Sequence, residues 1–278
     1  MSTDISSAGI MNYSSADHTF AICAYKESTF LEECILSLMA QSVKTNVLIA
    51  TSTPNDFIKG LAEKYGIPLH INEKAVGKSD IASDWNYAVS CCGTKLVTIA
   101  HQDDIYYPEY AAEVLKYACR AEHPLIIHTD YEELRDGERI RNNRLLRIKR
   151  FMLLPMKPKA FWSSIFIRRR ILSFGSPICC PSVTFEVDNV GKPVFEKGFK
   201  CNPDWQAWER ISKKKGDFVY CPEYLMAHRI HEDSATTALI ADRNRHEEDM
   251  QMFRKFWPAP IAAFIERFYQ KSEDQNAV

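Results

Sequence analysis

The run Val97-Thr98-Ile99-Ala100-His101-Gln102-Asp103-Asp104-Ile105-Tyr106 concentrates the residues best suited to chemistry. Four apolar or β-branched residues end in two adjacent carboxylates, the pattern of a buried strand whose carboxyl end opens onto a site. Adjacent acids repel each other, so a pair at a strand tip calls for a cation, and oxygen ligands of this kind suit Mg²⁺ or Mn²⁺. Ligands of open α/β sheets bind beyond the carboxyl ends of strands. The pair therefore reads as a metal site at the edge of a nucleotide pocket. A plainer reading is an acidic turn before the helix that Pro108 starts.

The elements that would position this pair alternate. Thr19–Tyr25 predicts a first strand, followed by a Thr29…Glu32 capping box and a helix with Leu31, Cys34, Ile35, Leu38 and Met39 on one face. Val47–Ala50 is a second strand, and Asn55 caps a helix that Gly66 ends. Leu69–Ile71 is a third strand. Ser79 opens a helix with Ile81, Trp85, Ala88 and Val89 on one side, ended by Gly93. The acidic strand, the Pro108 helix and a strand at Leu125–Ile127 follow. Such alternation predicts a mostly parallel sheet with right-handed crossovers.

The whole chain sets limits. Its 278 residues are 46% hydrophobic and 26% charged, ordinary for a globular protein. A net charge of −1 gives no reason to expect a nucleic-acid partner. Nine cysteines without a CxxC spacing read as reduced thiols of a cytosolic protein. Residues 1–18 are polar and lack the pattern of a signal peptide, so a loose tail is expected. No run of apolar residues is long enough to span a membrane.

After residue 131 the pattern changes. Residues 135–170 carry many bases, among them Arg147, Lys149, Arg150 and Lys157, interleaved with Leu145, Leu146, Phe151, Leu153, Leu154, Phe161 and Trp162. This is either a surface that meets anionic lipid or a lipid-linked diphosphate, or a solvated helix face over ordinary core residues. Cys180–Phe185 reads as a strand entering the same site. Asn202-Pro203-Asp204-Trp205 leads a helix, Phe218–Tyr220 and Leu225–Ala227 are short strands, and His228–Ser234 closes the polar part. Residues 238–271 suggest two amphipathic helices split by Pro258 and Pro260, packed on the domain, as a dimer surface, or as a membrane foot.

In order and spacing these motifs resemble the family 2 glycosyltransferases with their GT-A nucleotide-sugar-binding fold. The matching features are the Phe20–Glu27 strand and turn, Trp85-Asn86, Gly93, HQDDIYYP, Pro181-Ser182-Val183, Asp204-Trp205 and Arg229-Ile230-His231…Ser234. The likeness runs from about Thr19 to Thr237 and is greatest to enzymes that build bacterial capsule, O-antigen and other surface polysaccharides. It implies an α/β fold of Rossmann type, a mostly parallel sheet flanked by helices. Its glycosyltransferase domain would span 19–237, with a nucleotide half at 19–130 and an acceptor half at 131–237, ahead of a C-terminal helical extension at 238–278. Ala24, Tyr25 and Glu27 would line the nucleobase and ribose pocket, with Gln102 of the HQDD motif at the donor. Asp103 would contact the ribose or the metal, and Asp104 would be the main carboxylate ligand of Mn²⁺ or Mg²⁺ on the donor diphosphate. Arg229 and His231 would fold over the diphosphate, His231 as a metal ligand or as an ordinary histidine. Asp204 would be the general base.

The chain departs from the family pattern in three places. Thr51-Ser52-Thr53-Pro54 stands where an acid usually reads the base, so the Ser52 hydroxyl is the candidate contact. Trp85 replaces an arginine, with Lys78 as the candidate substitute charge. His101 replaces the first acid of the longer DxDD motif. Asp204 also has a rival reading as a helix N-cap, whose dipole would lower its pKa while burial beside Trp205 would raise it; Glu186, Asp188 and Glu196 are lesser candidates for the base. The function implied is an inverting, metal-dependent transfer from a nucleotide-sugar, foremost a UDP-sugar, to a saccharide acceptor, free or lipid-linked, by a cytoplasmic enzyme with a peripheral contact at the inner face of the membrane as a further expectation. The competing readings are a sugar-phosphate nucleotidyltransferase, whose glycine-rich first turn is missing from Ala24–Ser28, and a catalytically inactive nucleotide-sugar-binding protein.

Overall fold

The computed structural model describes residues 12–231 and 244–274. The described strands form one mixed sheet in the order β3 (Leu69–Ile71), β2 (Asn46–Thr51), β1 (His18–Ala24), β4 (Leu96–His101), β8 (Val183–Glu186), β6 (Pro124–Arg135), β9 (Asp217–Ile230) and β5 (Ile105–Tyr106), with β7 (Glu138–Ile140) paired to β6. The first half is the expected one. β1 (His18–Ala24), β2 (Asn46–Thr51), β3 (Leu69–Ile71) and β4 (Leu96–His101) are parallel, joined through α1 (Leu31–Met39), α2 (Asp56–Tyr65) and α3 (Ile81–Ser90). β1 and β4 are almost wholly buried, as strands covered on both faces must be. From β1 the chain first winds outward through β2 and β3, then returns to place β4 on the other side of β1. That reversal leaves a crevice at the carboxyl ends of β1 and β4, where Tyr25 and His101 begin their loops.

Local chemistry sets the helix ends. The Asn55 side chain accepts the Ile58 N–H at 2.9 Å, and Gly66 ends α2 in the left-handed region (φ 63°). Asp80 rather than Ser79 caps α3, taking the Ser83 N–H at 3.0 Å. The Thr29…Glu32 capping box does not form. Phe30 is the N-cap of α1, and Glu32 instead binds Lys64 and the Tyr65 hydroxyl, each at 2.6 Å. The ion and phenol on α2 compete successfully for a carboxylate that local sequence assigns to its own helix.

The second half departs from a simple alternation. β5 (Ile105–Tyr106) follows the acidic pair and α4 (Tyr110–Arg120) comes next. β6 (Pro124–Arg135) runs far beyond the expected Leu125–Ile127 and pairs with β7 (Glu138–Ile140). α5 (Arg144–Leu153) and α6 (Ile165–Leu172) lead to β8 (Val183–Glu186), which enters antiparallel between β4 and β6. α7 (Val187–Val190) and α8 (Pro203–Ile211) follow. The two short strands expected at 218–227 are one, β9 (Asp217–Ile230), parallel to β6 with bulges around Asp130. Those bulges let an interrupted apolar pattern run as a single strand.

The helices Asn244–Arg254 and Ala259–Asp274 match the expected C-terminal pair. Phe253 packs edge-on to Trp205 of α8 (5.1 Å), and the Trp257 indole donates to the Ser173 carbonyl at 2.8 Å. One face of the stripe thus covers the domain, while Phe264 and Phe268 stay exposed. Among the described residues no helix is long and apolar enough to cross a membrane. All nine cysteines are free thiols.

Candidate active site

The carboxyl ends of β1, β2 and β4 bring the first group of predicted residues together. Ala24 is buried at the end of β1, and Tyr25 and Glu27 are exposed on the turn beyond it. Gln102 spends both ends of its amide on Tyr25, accepting the Tyr25 N–H and donating to its carbonyl, each at 2.9 Å. The glutamine therefore fixes the turn that presents Tyr25. Lys26 holds a positive φ of 54° and donates its N–H to the Thr53 hydroxyl at 2.6 Å, which ties the turn to β2. Ser52 is buried beside it with its hydroxyl unpaired among the described residues. Trp85 stacks on His101 at 5.2 Å, with Phe195 edge-on behind it. Asn86 clamps that backing by binding the Val194 and Phe195 N–H groups and the Phe195 carbonyl. Lys78 is exposed on the loop before α3.

Asp104 is the centre of the site. It is wholly buried (0% exposed), and Oδ1 accepts from His228 Nδ1 and from the Arg229 N–H, both at 2.9 Å. Oδ2 has no hydrogen-bond partner among the described residues, and neither has His101 Nε2. Buried polar atoms are ordinarily paired, so unpaired ones call for a ligand. One ligand atom each from His101, Asp103 and Asp104 lies within 4.8 Å of the others, a spacing that fits a divalent ion.

The antiparallel register of β5 with β9 explains why distant residues meet here. Ile105 pairs with Ala227 and Tyr106 with Met226, so the next positions set His228 against Asp104 and Arg229 against Asp103. Arg229 Nε donates to the Asp103 carbonyl at 2.8 Å, its guanidinium also binds Glu33, and it stacks over the Phe30 ring at 4.2 Å. The predicted diphosphate contact is thus engaged in bracing the acidic turn. His231 Nε2 lies 3.0 Å from Asp103 Oδ2, beside Phe30. The expected Glu232–Ser234 end of this segment lies outside the described residues.

The charges compensate one another. Burial alone would raise the Asp103 carboxyl, but His101 and His231 hold it below the usual carboxylate range. Burial pushes the His101 imidazole down. It acts the same way on His228, yet the Asp104 carboxylate outweighs it and holds that imidazole above its ordinary value.

Asp204 is not the N-cap of α8. Asn202 occupies that position, and Asp204 is the second helical residue, its Oδ1 accepting its neighbour's N–H, that of Trp205, at 2.7 Å. Burial raises its carboxyl, against the opposing pull of that N–H and of Lys149 and Arg245. Burial pushes the Cys179 and Cys180 thiols up, and both Asp104 and Asp204 add to it. α8 is anchored by buried Trp205, whose indole donates to the Leu172 carbonyl at 3.0 Å, and by Trp208 stacked on Phe185. Of the lesser candidates, Glu186 caps α7 through the Asn189 N–H at 2.7 Å, at the end of β8 that pairs with the start of β4, away from the acidic pair. Asp188 lies within that short helix, and Glu196 faces Arg210 and Gln206.

The model of the family described as "Glycosyl transferase family 2" matches residues 19–176, more than half of the chain. The chain belongs to glycosyl transferase family 2. No protein of curated function matches its sequence. Its fold is similar to residues 1–349 of S. aureus TarS in complex with UDP-GlcNAc, with a TM-score of 0.63 and 11% identity over 90% of this chain and 70% of that one. It is also similar to the mannosyltransferase PcManGT from Pyrobaculum calidifontis in complex with GDP-Man and Mn²⁺ (0.62, 13%, 90% and 68%). A third is glucosyl-3-phosphoglycerate synthase from Mycobacterium tuberculosis with Mn²⁺, UDP and phosphoglyceric acid (0.55, 12%, 87% and 80%). At such identities the likeness is one of fold, the GT-A arrangement expected. Family membership favours a glycosyltransferase over a nucleotidyltransferase. The matched span includes Trp85 and His101–Asp104 but stops short of Asp204 and β9.

Four residues of the candidate site escaped sequence reasoning. His101 appeared only as a missing acid, yet it lies within 4.8 Å of Asp103 and Asp104 in the candidate ligand group. His228 sat within a noted motif without a role. Glu33 on α1 gave no signal, since its partner Arg229 is 196 residues away. Lys149 was counted with the basic surface segment, but its ammonium donates to the Tyr131 hydroxyl at 2.9 Å and acts on both Asp204 and His228. Its place within the helical repeat, on the buried side with Leu146 and Leu153, was the available clue.

Proposed function

We propose that this protein is an inverting, divalent-metal-dependent glycosyltransferase that moves a sugar from a nucleotide-sugar, foremost a UDP-sugar, to a saccharide acceptor in bacterial surface polysaccharide assembly. The observation that carries this reading is the buried Asp104 with its unpaired Oδ2 beside His101 and Asp103. Bound there, Mn²⁺ or Mg²⁺ would act as a Lewis acid on the leaving diphosphate. The chain's own residues do the rest. Tyr25, with Gln102 behind it, and Ser52 receive the base and ribose, and Trp85 walls the pocket. His228 and the Arg229 N–H hold and orient the Asp104 carboxylate through Oδ1, and His231 binds that of Asp103. Asp204, with its raised proton affinity, accepts the proton of the acceptor hydroxyl. A single base opposite the leaving group gives direct displacement and inverts the anomeric centre. Lys149, its ammonium held on the Tyr131 hydroxyl, offers a fixed positive charge toward the developing phosphate charge. The acceptor is free or lipid-linked, and the enzyme works in the cytoplasm at the inner face of the membrane.

The test is a thermal-unfolding panel of UDP-, GDP- and dTDP-sugars with Mn²⁺ or Mg²⁺. Protection by one nucleotide, abolished by EDTA, is the expected result. Equal protection with and without chelator refutes the metal-dependent reading.

A further inference from the structure

The basic segment was open between a lipid-facing surface and a solvated helix face, and part of it lines a cavity apart from the site described. This cavity of ≈ 290 Å³ lies between α5 and the β6–β9 pair, with Asp130, Tyr220 and Tyr224 in its wall. Arg147, Arg150, Phe151 and Leu154 also line it, spaced i, i+3, i+4 and i+7, so one stripe of α5 and the turn after it faces the cavity. The opposite side of α5 carries Lys149, which faces Tyr131. None of the cavity residues belongs to the His101–Asp104 group or to α8.

The charges in the cavity are unbalanced. Asp130 is matched by Arg150 Nε at 2.8 Å, and Arg150 also donates to the Tyr131 carbonyl at 2.8 Å and stacks over the Tyr224 ring at 4.6 Å. Arg147 and Lys157 also line the wall, and neither side chain makes an ion pair or hydrogen bond among the described residues. Two unmatched cations, a fixed guanidinium and an aromatic floor make a receptor for a phosphate group. The rim adds a second character: Phe151 is 74% and Leu154 46% exposed, large apolar groups placed next to the cations.

We propose that this cavity binds the phosphate headgroup of an anionic membrane lipid, with Phe151 and Leu154 entering the acyl boundary beside it. A phosphate receptor alone would also suit a soluble phosphate; the exposed apolar rim is what selects a lipid. The proposal deepens the reading of an enzyme at the membrane face and rests on it, but not on the assignment of the catalytic residues.

The test is co-sedimentation of the full chain with vesicles of phosphatidylcholine alone or mixed with phosphatidylglycerol. The wild type should bind the mixed vesicles and not the neutral ones. At roughly fivefold per cation, the Arg147→Gln/Lys157→Gln double variant should bind about twenty-five-fold more weakly. Phe151→Ser should lose about tenfold or more. Both variants keep wild-type unfolding midpoints and Mn²⁺-dependent nucleotide protection, which separates this test from that of the catalytic reading. Wild-type-like binding by the double variant overturns the cavity while leaving membrane contact standing. Failure of the wild type to bind either vesicle overturns the lipid. In that event, protection of the wild type but not the double variant by inorganic phosphate in EDTA reassigns the cavity to a soluble phosphate.

Discussion

Glu248 offers the sharpest test of how the proposed base is held. Its buried carboxylate accepts three consecutive backbone N–H groups, from Lys200 at 2.6 Å, Cys201 at 2.8 Å and Asn202 at 2.9 Å. The Asn202 amide donates in turn to Asp249 at 2.8 Å. These bonds fix the loop that delivers Pro203 and Asp204 into the first turn of α8. Glu248→Ala leaves three donors without an acceptor, each costing about 1–3 kcal/mol if it stays dry. Lys200 is exposed and its N–H can be rewetted, so a net loss on the order of 3–5 kcal/mol is expected. At about 2–4 °C per kcal/mol for a chain of roughly this size, the unfolding midpoint should fall by about 6–20 °C. Mn²⁺-dependent nucleotide protection should persist, because Asp104 is held by β9 and not by this loop. Transfer measured below the new midpoint should drop by about a hundredfold if Asp204 moves by roughly 1 Å. Scanning fluorimetry and a coupled release assay suffice. A midpoint within about 2 °C of wild type would refute the reasoning, because the loop would then owe its shape to something else.

Three further outcomes are expected. Asp104→Asn should abolish metal-dependent nucleotide protection, which in the wild type at a hundredfold excess over Kd is worth about 2.7 kcal/mol; titration calorimetry with Mn²⁺ and UDP checks it. Burial raises the Asp204 carboxyl, so its contribution to stability is full below the unfolded carboxylate value and is lost as pH rises through the raised folded value. Asp204→Asn should therefore unfold at a higher temperature than wild type at neutral pH, with the gap closing in acid, while donor binding stays and transfer is lost; retained transfer would end its assignment as base. Lys149→Met removes a cation that lowers the Asp204 proton affinity, so the acid limb of the pH–rate profile should move to higher pH, and an unmoved limb would disconnect the two groups.

The nucleotide half was legible because its signals are local. Apolar runs, the Asn55 cap, Gly66 and the acid pair each sit within a few residues of the structure they specify. The Thr29…Glu32 box failed for the opposite reason, since Lys64 and Tyr65 lie on another helix. The bulges around Asp130 hid the true lengths of β6 and β9, because period-two alternation breaks where an extra residue enters. The Asp204 alternatives turned on a single position, and only coordinates could place Asn202 at the cap. The roles of Lys149, Glu33 and Glu248 depend on partners across the fold, which composition and spacing do not encode. The division into halves at residue 130 follows the change of pattern in the chain, and it falls within β6 at the bulges around Asp130.

The β5–β9 pairing makes the acidic pair dependent on a strand more than a hundred residues downstream. A fragment ending before Asp217 would retain the parallel strands and the HQDD turn yet lose His228 and Arg229, stranding a fully enclosed carboxylate without its counter-charges. The nucleotide half is therefore no detachable module. During synthesis the donor pocket can mature only after the last strand emerges, so a prematurely terminated chain is expected to be inert toward sugar nucleotides.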